Sequence, residues 1–417
     1  MGRYLVPAAM VAAMIAFAVA ALTAGLIPYQ PRLWAGVVPL AVLGGVIPMI
    51  FAVNIRIVPV FSRRSWPSEG GLRLQVALAI AGAWTVFAGY VAGWSALVLA
   101  GSVLALAGGV VFMTNLARLF RQAPEPRLAP PLPYPEHAAV DAIATRFMRL
   151  AGIWLLVGLV VGVVTAGWRP GIGRWDLVWA HAMLVGFMLS MVAGVCYHVM
   201  ARWTGRRWRG VAPIRLHYAL VAVGLPVMVL ALATDQTALF AIAGPIQAAA
   251  IGIFLINVAP LTTGLPSLSR SAVIAAMGLL VVGVSLGASF AIEPILGVWL
   301  RVVHAEINLF GWTGLLISGI GYYFLPRLAG QPLRWSWLAP VQLAAIFVGV
   351  GLSVTAIGWR AHANGPDALM LVAGGLIAAG FVLFGLQAAG TFRYTSVGTV
   401  AALPYVPRPG TPVGAPR

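Results

Sequence analysis

The chain has 417 residues, of which 61% are hydrophobic and only 8% are charged, and its mean hydropathy is +0.96. This balance excludes a water-soluble globular protein, because such proteins carry about 25% charged residues. All 26 basic residues are arginines, and the formal net charge is +17. Nucleic-acid binding would explain a basic excess, but the arginine bias of cytoplasmic loops in membrane proteins explains it better. We therefore expect membrane lipids, and no nucleic acid, around this chain.

Apolar runs of about 20 residues, the length that crosses a bilayer as a helix, occur repeatedly along the chain. Breaks rich in Pro, Gly and Arg separate twelve of them. We predict an all-α integral membrane protein with one transmembrane domain over residues 1–402 and a flexible tail at 403–417. A Pro-rich segment at 122–142 is predicted to be an extended cytoplasmic loop. The predicted spans are 4–27, 35–60, 74–94, 96–119, 147–168, 177–201, 214–233, 237–260, 271–292, 298–326, 337–359 and 368–390.

The placement of the arginines predicts how the twelve spans are oriented. With the N-terminus inside, 21 of the 26 arginines fall in inner segments. Cytoplasmic loops carry such an excess of basic residues, so we predict that both termini are cytoplasmic. The five arginines left in outer segments are Arg32, Arg169, Arg174, Arg301 and Arg360.

Three stretches of the chain share a glycine-based spacing. Gly186 and Gly311 are each followed by glycines eight and nineteen residues later. Pro59 follows Gly44 at the same fifteen-residue spacing at which Pro326 follows Gly311. The three copies are 142 and 125 residues apart, which corresponds to four spans each. This pattern indicates an internal repeat in which spans two, six and ten are equivalent.

Two histidines lie at equivalent ends of spans six and ten. His181 and His304 are each placed a turn or so inside the predicted outer boundary. Neutral imidazole is a standard axial ligand of heme iron, and helix bundles supply such ligands from facing helices. We interpret His304 as a metal ligand, with His181 as a candidate second ligand. The alternative is that each imidazole only hydrogen-bonds a neighbouring helix backbone.

Three polar residues near His304 complete the candidate site. Glu306 is a carboxylate placed well inside a span, where an ionised group is costly, so we expect it to be protonated, paired or hydrated. We assign it a catalytic, proton-handling role, although it points to roughly the opposite face of the helix from His304. Asn308, one turn after His304, could orient that imidazole or a bound ligand. Arg301, one turn before it, is either a partner for a heme propionate or an ordinary outer-leaflet arginine.

The other four histidines are expected to lie outside this site. His137 in the Pro-rich loop and His362 in an outer loop are expected to be solvated. His217, beside a tyrosine at the inner boundary, is typical of an interfacial anchor. His198 lies roughly 25 Å along the helix from His181 and cannot share a metal with it. We expect His198 to anchor the span or to handle protons.

Two segments resemble known membrane proteins. The stretch HAEINLFGW from His304, with GYYFLPRLAG from Gly321, resembles the tenth span of the catalytic subunit of heme-copper oxidases. The stretch from His181 (HAMLVGF) to Arg202 (RWTGR) resembles a segment of the related NnrS family of nitric-oxide-stress membrane proteins. The resemblance implies twelve helices in three pseudo-symmetric arcs of four.

The same resemblance implies ligand positions that this chain fills only in part. In the oxidases the tenth span carries His-x-His, whose first His binds the high-spin heme and whose second binds the low-spin heme with a His of span two. His304 matches the first and Glu306 the second, while residues 37–60 contain no His, so the low-spin heme is expected to be missing. The oxidase copper site needs a Tyr four residues after a His on span six, where this chain has Val185 after His181. It also needs a His pair on span seven, which offers only His217. Copper at an oxidase-type site and oxygen reduction to water are therefore not expected.

The leading functional interpretation is a bacterial inner-membrane protein that binds one b-type heme between spans six and ten. By resemblance it would handle nitric oxide or related redox stress, or pass electrons to a redox partner protein. A first alternative is a proton-coupled metal or solute transporter that uses the polar cleft of His181, His304, Glu306 and Asn308. A second is a cofactor-free structural or assembly subunit.

Overall fold

The computed structural model describes residues 4–126, 130–168, 171–292, 298–362 and 367–393. Its regular elements in these ranges are helices, and twelve of them are long and apolar enough to cross a membrane. The predicted flexible tail at 403–417 lies outside the described residues. The twelve helices are α1 (Leu5–Gly25), α2 (Pro31–Ser62), α3 (Glu69–Ala92), α4 (Ser95–Arg121), α5 (His137–Gly167), α6 (Trp175–Thr204), α7 (Val211–Thr234), α8 (Thr237–Gly264), α9 (Ser267–Phe290), α10 (Trp299–Ala329), α11 (Leu338–Arg360) and α12 (Asp367–Phe392).

Helices α2, α6 and α10 form the centre of the molecule. In their most apolar stretches 78%, 67% and 72% of the residues are buried, against 56% or less in the other nine helices described. The outer helices pack side by side, for example α3 on α4, α7 on α8, and α12 on both α11 and α1. Helix α10 is also the least apolar, with a mean hydropathy of 1.2 where the others range from 1.6 to 2.5. The candidate ligands on α6 and α10 therefore lie in the core.

Each central helix contains a π-helical segment around its repeat glycine. In a π-helical turn the hydrogen bond reaches five residues along the chain, which disturbs the regular helix and is frequent at functional sites. The segments lie at Leu40–Val46, Ala182–Leu189 and Ile307–Trp312. The internal repeat seen in the sequence is thus present in the backbone.

The central helices also end in the same way. Nineteen residues after each repeat glycine, Arg63, Gly205 and Gly330 adopt left-handed backbone angles, with φ of 55°, 65° and 70°. A left-handed residue is a common way to close a helix, and glycine adopts it without a steric cost. Arg63 adopts the same conformation with a side chain, which costs roughly 1–2 kcal/mol.

The predicted spans match the observed helices closely, except at the start of α5. This helix begins at His137, ten residues before the predicted start, so the end of the predicted loop 122–142 is helical. The prediction that His137 is solvated is wrong, because its side chain is fully buried. Its Nε2 lies 2.8 Å from Nη1 of Arg202 on α6, and this polar partner makes the burial tolerable.

An ionic network ties the C-terminal ends of α2 and α6 to the N-terminal end of α5. The Asp141 carboxylate accepts hydrogen bonds from both terminal nitrogens of Arg202, at 3.0 and 2.6 Å. His198 Nδ1 lies 2.7 Å from the same carboxylate. The Arg202 guanidinium lies over the Phe61 ring of α2, 5.5 Å from its centroid. His198, which we expected to anchor the span or handle protons, is thus part of a packed network.

The His217 side chain faces the protein interior, whereas an interfacial anchor would face the lipid or water. It is only 1% exposed, and the hydroxyl of Tyr197 lies 2.9 Å from its Nδ1. Its ring packs against Phe147 and Phe254, with centroid distances of 4.8 and 5.4 Å. The prediction of an anchor was wrong because nearness to a helix end does not determine which face the residue occupies. The side chain of His362 lies outside the described residues.

Candidate functional site

His181 on α6 and His304 on α10 are both oriented by main-chain carbonyl groups. His181 Nδ1 lies 2.8 Å from the carbonyl oxygen of Leu177, and His304 Nδ1 lies 2.8 Å from that of Gly283 on α9. A carbonyl oxygen only accepts, so each Nδ1 carries the proton and each Nε2 keeps its lone pair. Among the described residues, no hydrogen bond occupies either Nε2. Each histidine can therefore keep its hydrogen bond to the main chain through Nδ1 and bind a metal through Nε2.

The two imidazole rings are close and nearly parallel. Their centroids are 6.4 Å apart, and their planes differ by 20°. A metal ion held roughly 2 Å from one nitrogen of each ring would place the centroids roughly 6 Å apart. The observed spacing therefore suits one metal ion shared by His181 and His304.

Two glycines let α9 approach α10 closely at this point. A Cβ atom on Gly287 would lie 2.9 Å from Cε1 of His304. A Cβ atom on Gly283 would lie 2.4 Å from the amide nitrogen of Asn308. The two glycines are four residues apart, which is the small-residue spacing that brings membrane helices together. Our sequence reasoning missed this signal, although the spacing itself is visible in the sequence.

Both histidines line a cavity of about 1050 Å³. This volume is at the upper end of small-molecule and cofactor sites, which range over roughly 300–1,000 Å³. Most of the lining side chains are apolar, as a membrane-embedded cofactor site requires. Arginines from three segments that are predicted to be outer also line it, and only one of them was predicted as a site residue. The histidines, arginines and asparagine of the lining are His181, His304, Arg32, Arg174, Arg301 and Asn308.

Asn308 does not orient the His304 imidazole, and Glu306 faces away from that ring, as its position in the sequence predicts. The Asn308 amide donates a 2.7 Å hydrogen bond to the main-chain oxygen of His304, so the ring is oriented by Gly283 instead. Glu306 is 1% exposed and accepts a hydrogen bond from the Ser353 hydroxyl of α11. It does not belong to the cavity lining. His304 therefore faces the cavity, whereas Glu306 faces α11.

The aromatic side chain one turn after Glu306 belongs to a packed cluster. Phe310 lies 6.3 Å from Phe381 of α12, and Phe381 stacks on Phe17 of α1 at 4.8 Å between centroids. All three side chains are fully buried. Phenylalanine rings thus occupy the space between α1, α10 and α12.

The donor set decides which kind of metal the site suits. In the described ranges, no group of three or more His, Cys, Asp or Glu side chains is arranged to hold a metal ion. Protein zinc sites use three or four such ligands. Two imidazoles alone are therefore too few ligands for a zinc ion that is bound only by protein side chains. They are sufficient for an iron whose other four ligands come from a porphyrin.

Comparison with known proteins identifies the fold. No protein-family model and no curated protein sequence matches this chain. In contrast, 38 chains of solved structures are similar to it. One is from the cryo-EM structure of a heme-copper terminal oxidase dimer, with a TM-score of 0.65 and 14% sequence identity. The alignment covers 96% of this chain and 86% of that one. This protein is thus a multi-pass membrane protein with an oxidase-like fold.

Proposed function

We propose that this protein binds a single b-type heme between α6 and α10, with His181 and His304 as its two axial ligands, and that it carries electrons within the membrane. The observation that carries the proposal is the 6.4 Å spacing of two nearly parallel imidazoles. Each has its Nδ1 turned to a backbone carbonyl and its Nε2 free to bind a metal. Heme iron bound in this way supplies one-electron transfer.

The cavity supports the same assignment through its size and its charges. Its volume of about 1050 Å³ suits a cofactor larger than a single ion. Arg32, Arg174 and Arg301 line it, and guanidinium groups bind carboxylates such as heme propionates well. Arg174 is already paired with Asp235 at 2.8 Å. We assign the propionates to Arg301, because it lies one turn before His304 on α10, and to Arg32, which lines the same cavity.

The two-ligand arrangement favours electron transfer over chemistry at the metal. If both His181 and His304 held the iron, the heme would supply one-electron transfer and would not bind oxygen or nitric oxide. Binding of nitric oxide would require His181 or His304 to dissociate from the iron. We therefore propose electron transfer as the main role and a role in nitric-oxide stress as the second candidate. A redox partner protein and a bacterial inner membrane belong to the same proposal. The twelve apolar helices and the oxidase-like fold support the membrane location.

The test is the visible absorption and electron paramagnetic resonance spectrum of the purified full-length protein. We expect one heme per chain with the signature of a low-spin, six-coordinate iron. His304→Ala and His181→Ala should each yield a high-spin species or lose the heme, while remaining monodisperse in detergent. His217→Phe is the matched control, because His217 is buried among aromatic rings outside the cavity lining, and its spectrum should equal that of the parent.

Two results would refute the heme assignment. The first is a protein that stays heme-free when it is produced with excess heme. The second is a spectrum that neither histidine substitution changes. A stoichiometric zinc or copper content without heme would instead favour the transporter alternative.

A further inference from the structure

A second cavity, distinct from the candidate heme site, lies between α5 and α7. It has a volume of about 420 Å³ and is lined by Arg146, Arg149, Leu150, Ile153 and Tyr218. The first four follow the spacing of one face of a helix. Tyr218 comes from α7, and its ring packs edge-on against Phe147 at 5.2 Å. The groove therefore has two cationic groups at one end and apolar side chains at the other.

The depth of the groove in the membrane follows from the lengths of the two helices. Arg149 precedes Gly167, the last residue of α5, by 18 residues, or roughly 27 Å along the helix. Tyr218 precedes Thr234, the end of α7, by 16 residues, or roughly 24 Å. The hydrocarbon core of a bilayer is about 30 Å thick. Both residues therefore lie close to the opposite boundary of this core, where their long side chains can reach the lipid headgroups, and Leu150 and Ile153 lie deeper inside it.

The charges of the groove are left without a counterion by the described part of the protein. Arg146 and Arg149 are exposed, and no carboxylate in the described ranges forms an ion pair with either. The nearest acidic residue along α5, Asp141, is engaged by Arg202. Ile153 is 58% exposed. An occupant must supply both a negative charge and an apolar chain.

We propose that this groove binds an anionic phospholipid. Its phosphate would lie between Arg146 and Arg149, and one acyl chain would run along Leu150 and Ile153. Basic pockets between membrane helices on the cytoplasmic side are the kind of site that recognises anionic lipid headgroups. The proposal does not depend on heme binding. A free phosphate ion would use the arginines but not the apolar end of the groove.

The test is native mass spectrometry of the full-length protein in detergent with added dioleoyl phosphatidylglycerol. The apparent affinity for this lipid should fall about fivefold in Arg146→Gln and about fivefold in Arg149→Gln, and the two losses should multiply when both substitutions are combined. One basic residue near the membrane surface contributes about that factor. Arg206→Gln with Arg209→Gln is the matched control, because it removes the same charge from exposed residues outside the groove. The control should bind like the parent.

Three outcomes would overturn the proposal. Equal weakening in the control pair would indicate a diffuse charge effect. Equal binding of dioleoyl phosphatidylcholine would indicate no selectivity for anionic lipid. Displacement of the lipid by millimolar inorganic phosphate would assign the arginines to a free anion. If the variant that carries both Arg146→Gln and Arg149→Gln does not fold, the single Arg149→Gln variant is compared with Arg209→Gln alone.

Discussion

At the scale of single residues, the candidate site depends on main-chain groups as much as on side chains. The carbonyl oxygens of Leu177 and Gly283 fix which nitrogen of each imidazole is protonated. Gly287 leaves the space in which the His304 ring lies against α9. Such partners hold a ligand ring in one orientation and tautomer. The sequence identifies the two histidines. The Leu177 carbonyl is the normal helix neighbour of His181 four residues earlier, whereas the Gly283 partner of His304 follows only from the packing of α9 on α10.

Glu306→Gln tests the proton-handling role that we assign to the buried carboxylate. Glu306 faces Ser353 on α11 and does not line the cavity, so the variant should retain its full heme content. Glutamine keeps the shape and hydrogen bonding of the side chain but does not titrate. The reduction potential of the heme should then depend less steeply on pH than in the parent, measured by spectroelectrochemistry between about pH 6 and 8.

The control for this prediction is Glu69→Gln, a partly exposed carboxylate at the start of α3 that pairs with Arg73. It should leave the pH dependence of the potential unchanged. If the Glu306 variant and the parent have the same slope, Glu306 only fills space between α10 and α11.

At the scale of elements, three equivalent helices carry the architecture. Helices α2, α6 and α10 share a π-helical segment and a left-handed final residue at the same distance from a repeat glycine. Of these three helices, only α6 and α10 carry a histidine in their N-terminal halves. The repeat therefore provides three equivalent helices, and the side chains of two of them provide the candidate site.

Arg63→Gly tests the structural equivalence of the three helix ends. Arg63 has a φ of 55°, where a side chain costs roughly 1–2 kcal/mol. Glycine removes this cost, so the variant should be about 1 kcal/mol more stable, seen as a higher midpoint of thermal denaturation in detergent. Arg63→Ala is the matched control, because it removes the guanidinium but keeps the Cβ atom. A higher midpoint in Arg63→Ala as well would assign the effect to charge instead.

The sequence predicted the elements well and the contacts between them poorly. Hydropathy locates a membrane helix because the bilayer requires about 20 apolar residues in a row, and the twelve spans are confirmed. Burial of His137 and His217 could not be predicted, because it depends on partners from other helices, Arg202 for one and Tyr197 for the other. Arg32 and Arg174 at the cavity were interpreted only as topology signals for the same reason.

At the scale of the whole molecule, the arginines predict how the protein lies in the membrane. Three of the five arginines assigned to outer segments line one cavity, which agrees with their placement on a single side. A reporter fused between Gln122 and Glu136 should read cytoplasmic, and a reporter fused after Trp168 should read external. Alkaline phosphatase and green fluorescent protein fusions report the two sides. Opposite readings would move His181 and His304 to the inner half of the membrane.

The low hydropathy of α10 has a consequence for the biogenesis of the protein. A segment with a mean hydropathy of 1.2, carrying Arg301, His304, Glu306 and Asn308, partitions weakly from the translocon into lipid by itself. Helix α9 is synthesised immediately before it, and the Gly283 carbonyl and the Gly287 surface already offer His304 a place to pack. We therefore expect the two helices to enter the membrane together as a hairpin. Loading of the proposed heme would then be a late step, which waits until ten of the twelve spans have left the ribosome.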